Sequence, residues 1–442
     1  MNSVSTSLDL ATPVPQIRLY RDWLQETRGI DFATYDELHR WSVEDLEGFW
    51  RSIWEWDRIQ SPTAVSAVLS GEAMPDMRWF DGATLNYAQH VFSHVDAAEA
   101  PGQPAIVALD ERGTSETIEW SELRRRAASL ALDLRARGIA PGDRVAAYLP
   151  NIPAAVIGLL ACASVGAVWT LCSPDMGTNA VLDRWRQTQP KALIAVDGVF
   201  YAGKALDRSA ALAEILAQLP CIETVYLVPS DCAVRTMPDA VDFAAATARD
   251  DAAVAGFEPA MLPFDHPLWI LYSSGTTGLP KAIVHGHGGV ILATAAGRLH
   301  FDLGPSYAPN TFGERFHWYS ASGWVMWNIQ IGGLLSGTTI CLFDGSPIVA
   351  RLGSRSRGPP GSNASALSAA LDRPCPRTYN AGAPRSSPHS GVRTSGGAMS
   401  AGEPRSPPLS WLAIPNCPTR RAGCNAATSA PLSRRGTNMA IQ

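Results

Sequence analysis

A chain of 442 residues, 46% hydrophobic and 17% charged, is long enough for two or three domains with buried cores, and its composition is that of a globular protein. The formal net charge of −5 points to no particular partner. The opening run MNSVSTSLDLATPVPQ has no basic stretch followed by an apolar core, which excludes a secretion signal from the reading and leaves a cytoplasmic location expected. Eight cysteines stand without paired or metal-ligand spacing, so reduced thiols are expected rather than a disulfide framework or a metal site. Lys191, Lys204 and Lys281 are the only lysines beside 33 arginines. This skew reflects a GC-rich genome, and it makes each surviving lysine a functional candidate.

In chain order, the first 95 residues come first. They carry six tryptophans, three of them in FWRSIWEW at helical spacing (Trp50, Trp54, Trp56), which predicts a packed N-terminal helical segment. Leu123, Ala127, Leu130 and Leu134 then mark one helical face, with Gly138 placed to end the helix. The strand VAAYL (145–149) follows the turn APGD. The uncharged run Ala154–Cys172 is long enough to suggest a membrane span, but Pro153 precedes it and Gly166 interrupts it. It predicts a buried helix running into a buried strand, and no membrane span. A helix near 180–188, the strand ALIAV (192–196) and the apolar WILY (269–272) continue the alternation. The fold class expected is α/β, with a mostly parallel sheet covered by helices on both faces, WILY at its buried centre, and functional loops at the carboxyl ends of strands.

The run Tyr272-Ser-Ser-Gly-Thr-Thr-Gly-Leu-Pro-Lys281 carries the chemistry. Its small residues let the backbone turn tightly and bring N–H groups close to an anion. Ser273, Ser274, Thr276 and Thr277 add hydroxyl donors, Gly275 and Gly278 the freedom to turn, and Lys281 a positive charge. Together they describe a phosphate cradle, distinct from a Walker loop, which needs G-x-x-x-x-G-K-[ST] opening a helix.

SSGTTGLPK resembles the signature of the adenylate-forming superfamily. The segments WSVEDLEGFW (41–50), RWFDGATLNYAQH (78–90) and PLWILYSSGTTGLPKAIVHGHGG (267–289) look like its acetyl- and acetoacetyl-CoA synthetase branch. The resemblance implies an ATP-dependent acid–CoA ligase that joins a short-chain keto acid, acetoacetate, to CoA through an acyl-adenylate, releasing AMP and pyrophosphate. It implies ATP, CoA and Mg²⁺ as cofactors, and the loop as the holder of ATP phosphates. The block Trp318-Tyr-Ser-Ala-Ser-Gly-Trp-Val-Met-Trp-Asn328 is similar to the branch's acid pocket. Trp318, Ser320, Trp324, Met326, Trp327 and Asn328 are the implied wall, with polar groups interleaved among bulky ones as small-molecule sites require. Lys204, ending GVFYAGK, matches a position that contacts CoA phosphate. His285 and His287 line the nucleotide site or serve core and surface. Tyr319, Ala321 and Ser322 depart from the branch's usual Phe and threonines, so acetate, propionate or another short acid is the alternative substrate.

The resemblance stops at DGSP (344–347). The blocks the branch shows beyond it, for adenine, ribose and a small C-terminal lid domain with its catalytic lysine, do not follow. From Arg351 onward 62 of 92 residues are Ala, Ser, Gly, Pro or Arg, too poor in aliphatic residues to fold. Residues 1–350 carry a formal −15 and the tail +10. Such a tail reads either as a basic arm for nucleic acid or acidic lipid, or as GC-rich DNA translated out of frame. The second is preferred, so no nucleic-acid partner is expected. The domain reading is therefore 1–95, an N-terminal helical segment; 96–348, an incomplete adenylate-forming core; and 349–442, a low-complexity tail, disordered or out of frame. The expected activity of such a chain is impaired, and a non-catalytic nucleotide-binding remnant is the competing reading.

Overall fold

The structure is a computed structural model and describes residues 14–99, 101–235, 237–273, 278–308 and 315–346. The tail 349–442 and four loop residues, Ser274, Gly275, Thr276 and Thr277, lie outside the described residues.

A seven-stranded sheet organises the molecule. Its spatial order is Val241–Asp242, Thr224–Val228, Ala192–Val196, Arg144–Tyr148, Val168–Cys172, Pro267–Ser273 and Lys281–Gly286, parallel throughout except for the antiparallel last pair. The strand side chains alternate between two buried faces. Val145, Ala147 and Leu149 share one core with the helices Trp120–Ala136 and Pro153–Val165. Ala146 and Tyr148 share the other with Val181, Leu182 and Trp185 of Thr178–Thr188, and with Leu212 and Ile215 of Ser209–Gln218. This period of two under helices on both faces is the expected α/β arrangement.

The uncharged run is a helix, Pro153–Val165, buried on every side after its first proline, then a left-handed Gly166 (φ 79°) and the buried strand Val168–Cys172. Pro153 suits the first turn because its missing N–H has no partner to lose there. No described helix is long and apolar enough to cross a membrane.

The strand containing WILY differs from expectation. It stands next to the sheet's edge, and only Leu268, Trp269 and Ile270 are buried. The outermost strand leaves Ile283 and Val284, on opposite faces, both exposed, so Leu271 to Ser273 are covered on one flank only. An apolar run alone does not separate a central strand from its neighbour at the rim.

A second, four-stranded sheet has the order Arg315–Phe316, Thr339–Asp344, Ile106–Asp110 and Ser115–Ile118. The N-terminal helices Gln16–Arg28, Tyr35–Glu44 and Leu46–Trp56 join the same core as the large sheet. Their tryptophans pack as expected: Trp54 stacks on Phe80 at 4.4 Å and Trp50 meets Trp79 edge-on at 5.8 Å. Arg298 of the helix His287–Phe301 pairs with Asp57 at 2.8 Å in a largely buried contact that anchors this segment. Cys162, Cys172, Cys221, Cys232 and Cys341 are free thiols.

Candidate functional site

Two sequence blocks meet the sheet at the carboxyl ends of neighbouring strands, where open α/β sheets receive ligands. The first is the glycine-rich loop. Ser273 ends its strand and pairs in register with Lys281, which begins the antiparallel return, so the loop is the tip of a hairpin closed at its base. The helix Thr178–Thr188 holds the exit, Gln187 Nε2 donating to the Pro280 carbonyl at 2.9 Å. Tyr272 is fixed beneath, accepting from Thr170 Oγ1 at 3.2 Å and donating to the Arg184 carbonyl at 3.3 Å. Gly278 has φ 155° with open space around its Cα.

The three lysines separate by environment. Lys191 donates to the Gly138 carbonyl at 2.8 Å and pairs with Asp143 at 3.5 Å, so it closes a helix end and has a structural task. Lys281 and Lys204 are exposed and form no ion pair with a described residue. The two lie on different elements, Lys281 on the large sheet's edge and Lys204 on the separate hairpin Gly198–Tyr201/Lys204–Asp207.

The second block, 318–328, lies across the carboxyl ends of Val168–Cys172, which neighbours the loop's own strand, and of Arg144–Tyr148, one strand further in. Ser322 Oγ donates to the Leu149 carbonyl at 2.5 Å, and Trp327 Nε1 donates to Asn151 Oδ1 at 3.0 Å. An added Cβ on Gly323 would lie 3.4 Å from Ser173 N and 3.5 Å from the Leu171 carbonyl, so this segment rides close on backbone. Trp327 and Asn328 are buried in the helix Val325–Gly332, and Met326 is half-buried. Asn328 is only 5% exposed, and neither its Oδ1 nor its Nδ2 has a hydrogen-bond partner among the described residues. Trp324, just before that helix, is 56% exposed, whereas Trp318 packs edge-on against Phe301 and Phe316. Ser320 donates to the Ala321 carbonyl at 3.0 Å. The six predicted pocket residues thus differ in exposure: Trp327 and Asn328 are buried, Trp318, Ser320 and Met326 half-buried, and Trp324 exposed.

His287 is core. It is fully buried, its Nδ1 accepts from the Tyr87 backbone N–H at 3.0 Å, and burial pushes its pKa down to about 3. His285 Nδ1 accepts from Trp269 Nε1 at 2.8 Å, and burial lowers it to about 4. Both are neutral acceptors, which settles the open choice toward structure. Among the described residues no group of three or more His, Cys, Asp or Glu could hold a metal.

Asn151 was not singled out from the sequence, although it follows the strand directly in LPNIP, where a polar residue meets a ligand crevice. Glu111 was missed as well, for want of any local motif. Its carboxylate accepts the backbone N–H groups of Gly203 at 2.7 Å, Ala202 at 3.0 Å and Ser346 at 2.7 Å.

A sheet of this order, with a glycine- and hydroxyl-rich loop joining its two rim strands, defines an α/β core of the doubly wound kind. Residues 94–353 match the family described as AMP-binding enzyme, and residues 35–91 match the acetyl-coenzyme A synthetase N-terminus. The chain belongs to the AMP-binding enzyme family. It is similar to the acetoacetyl-coenzyme A synthetase of Rhizobium meliloti (strain 1021), with 39% identity over 74% of this chain and 48% of the relative. The acetoacetyl-CoA synthetase of Xenopus tropicalis is 35% identical over 77% of this chain and 50% of its own length. Among solved structures, acetoacetyl-CoA synthetase from Streptomyces lividans matches with a TM-score of 0.69 and 43% identity, covering 76% of this chain and 51% of that one. The chain spans about half the length of the relatives it matches.

Proposed function

We propose that this chain is the nucleotide- and acid-handling part of an ATP-dependent acid–CoA ligase acting on acetoacetate in the cytoplasm. The reading rests on one arrangement: a glycine- and hydroxyl-rich hairpin tip flanked by exposed Lys281, beside an aromatic-amide block over the adjoining strand ends. In the reaction, a carboxylate oxygen of the acid attacks the α-phosphorus of ATP. The bond to the bridging oxygen breaks, pyrophosphate leaves, and an acyl-adenylate remains. The CoA thiolate then attacks the acyl carbon and AMP departs. Loop N–H groups, the hydroxyls of Ser273, Ser274, Thr276 and Thr277, and Lys281 neutralise the charge that moves onto pyrophosphate. Mg²⁺, carried by the nucleotide, would add to that neutralisation. Trp327, buried over the strand ends, would help keep water from the reactive anhydride.

The acid is the finer part of the proposal. Asn328 is an amide with both polar atoms unsatisfied among the described residues, and burying such groups unpaired costs about 1–3 kcal/mol each. An acid carrying a 3-oxo group offers an acceptor for Nδ2, which acetate and propionate lack. Lys204 is assigned to CoA phosphate. The domain reading is kept with it: a helical N-terminal segment to residue 95, the core to 348, and the tail beyond.

The experiment is nucleotide binding and acid-dependent pyrophosphate exchange with a panel of acids. Lys281→Gln is expected to weaken ATP binding roughly tenfold while sparing AMP, which lacks the β- and γ-phosphates. Acetoacetate is expected to support exchange better than acetate or propionate, with the preference lost in Asn328→Ala. Equal weakening of ATP and AMP would remove the phosphate role of Lys281, and a preference for acetate would replace the substrate.

A further inference from the structure

The hairpin that carries Lys204 turns at Ala202 and Gly203, both in the left-handed region (φ 52° and 75°), with Tyr201 and Lys204 paired across it. Two positive φ angles in a two-residue turn make it the mirror-image type that matches strand twist and favours Asn-Gly or Gly-Gly. Alanine there is strained, and such strain persists only where surrounding groups over-determine the conformation. Here the surrounding group is one carboxylate. Glu111 Oε1 accepts from Gly203 N at 2.7 Å, and Oε2 accepts from Ala202 N at 3.0 Å. The same Oε2 accepts from Ser346 N at 2.7 Å, while Glu111 N donates to the Asp344 carbonyl at 3.0 Å. The side chain thus ties the hairpin tip to the end of the strand Thr339–Asp344, on the other sheet.

Other contacts fit this junction. Gly345 has φ 133°, and a Cβ there would lie 2.7 Å from Glu111 Cβ and Oε2, so the strand end is shaped around the carboxylate. Tyr319, in the acid-side block, donates to the Gly345 carbonyl at 3.4 Å. The coenzyme-side hairpin and the acid-side block are therefore both held to the chain at Gly345 and Ser346, the first through Glu111 and the second through Tyr319.

We propose that Glu111 is a positioning residue: it clips the Tyr201–Lys204 turn to the end of the strand Thr339–Asp344 and so sets where the Lys204 ammonium meets the coenzyme's phosphate, relative to the acid block. The proposal rests on the assignment of Lys204 to coenzyme phosphate. Glu111 touches no reactant. It acts through backbone it holds in place.

The test uses the full chain, titrated with CoA, adenosine 3′,5′-bisphosphate and ATP, with hydrogen exchange read at Ala202, Gly203 and Ser346. Glu111→Gln replaces one acceptor by a donor facing N–H groups. It is expected to raise exchange at those three amides and weaken CoA and the bisphosphate roughly tenfold, leaving ATP unchanged. Glu111→Asp, which keeps the charge on a shorter arm, should recover part of the affinity. Adding Ala202→Gly removes the turn strain without restoring the clip, so it should leave the loss in place. The idea fails if CoA affinity survives Glu111→Gln, if ATP weakens equally, or if Ala202→Gly restores CoA binding. Lys204→Gln separates the two claims. A flat response there with a loss in Glu111→Gln removes the Lys204 assignment and with it the route proposed for Glu111, whereas the reverse pattern removes the Glu111 proposal alone.

Discussion

His287 and Asp344 carry ionisable groups that burial moves in opposite directions along the pH axis. His287 sits at about 3 in the fold against an ordinary 6.5, because burial penalises the protonated ring and the neighbouring His266 and His90 add to that cost. Below 6.5 the unfolded chain takes up a proton that the folded ring refuses. Its contribution is whole above 6.5 and lost as pH falls toward 3. His287→Asn keeps an acceptor near Nδ1 for the Tyr87 N–H and removes the titration. Melts at pH 7.5 and 5 should show this variant losing about 2 kcal/mol less than wild type on acidification, and an unchanged slope would refute the assignment. Asp344 has the other sign. Burial first, then the Asp110 and Glu111 charges, raises it from 3.8 to about 6. The unfolded carboxyl ionises first, so stability is present below 3.8 and lost as pH rises to 6. Asp344→Asn should therefore raise the unfolding free energy at pH 7.5, by about 3 kcal/mol at most, and have little effect near pH 3.5.

At the scale of elements, the buried helix Pro153–Val165 shows how closely helix and sheet approach. A Cβ on Gly158 would stand 2.9 Å from both Ile194 Cδ1 and Trp169 Cη2, two buried strand residues. Alanine gains about 1 kcal/mol in helix propensity, but overpacking a full core costs about 1–3 kcal/mol. Gly158→Ala should be net destabilising in denaturant melts, and a stabilised variant would mean that Trp169 has room to move. The sequence marked this helix and its strand through an uncharged run broken at Gly166. It held no sign that Gly158 was the contact point, because that depends on which strands lie beneath. The same reason explains the strand Pro267–Ser273: its apolar content was legible, while its place beside the rim follows from pairing with an exposed return strand.

For the whole molecule, the matched relatives are about twice as long as the part this chain shares with them. The 442-residue polypeptide is therefore to be assayed as it stands, with acetoacetate, ATP and CoA: acetoacetate-dependent pyrophosphate exchange is the outcome the proposed function expects, and its absence would count against that reading.

The amino-acid sequence determined the alternation of strands and helices, the buried helix–strand run, the N-terminal tryptophan packing and the glycine-rich loop with its lysine. These follow from local periodicity and from the kinds of residue that can turn tightly beside an anion. Tertiary structure decided what depends on distant partners. His287 became a neutral core acceptor because the Tyr87 backbone reaches it across 200 positions. Lys191 was separated from Lys204 and Lys281 by one carboxylate and one helix end. Glu111, in an unremarkable DERG turn, gained its place only when the hairpin tip and the end of the strand Thr339–Asp344 converged on it, since a carboxylate holding three backbone N–H groups is an arrangement of chain segments that no neighbouring residues encode.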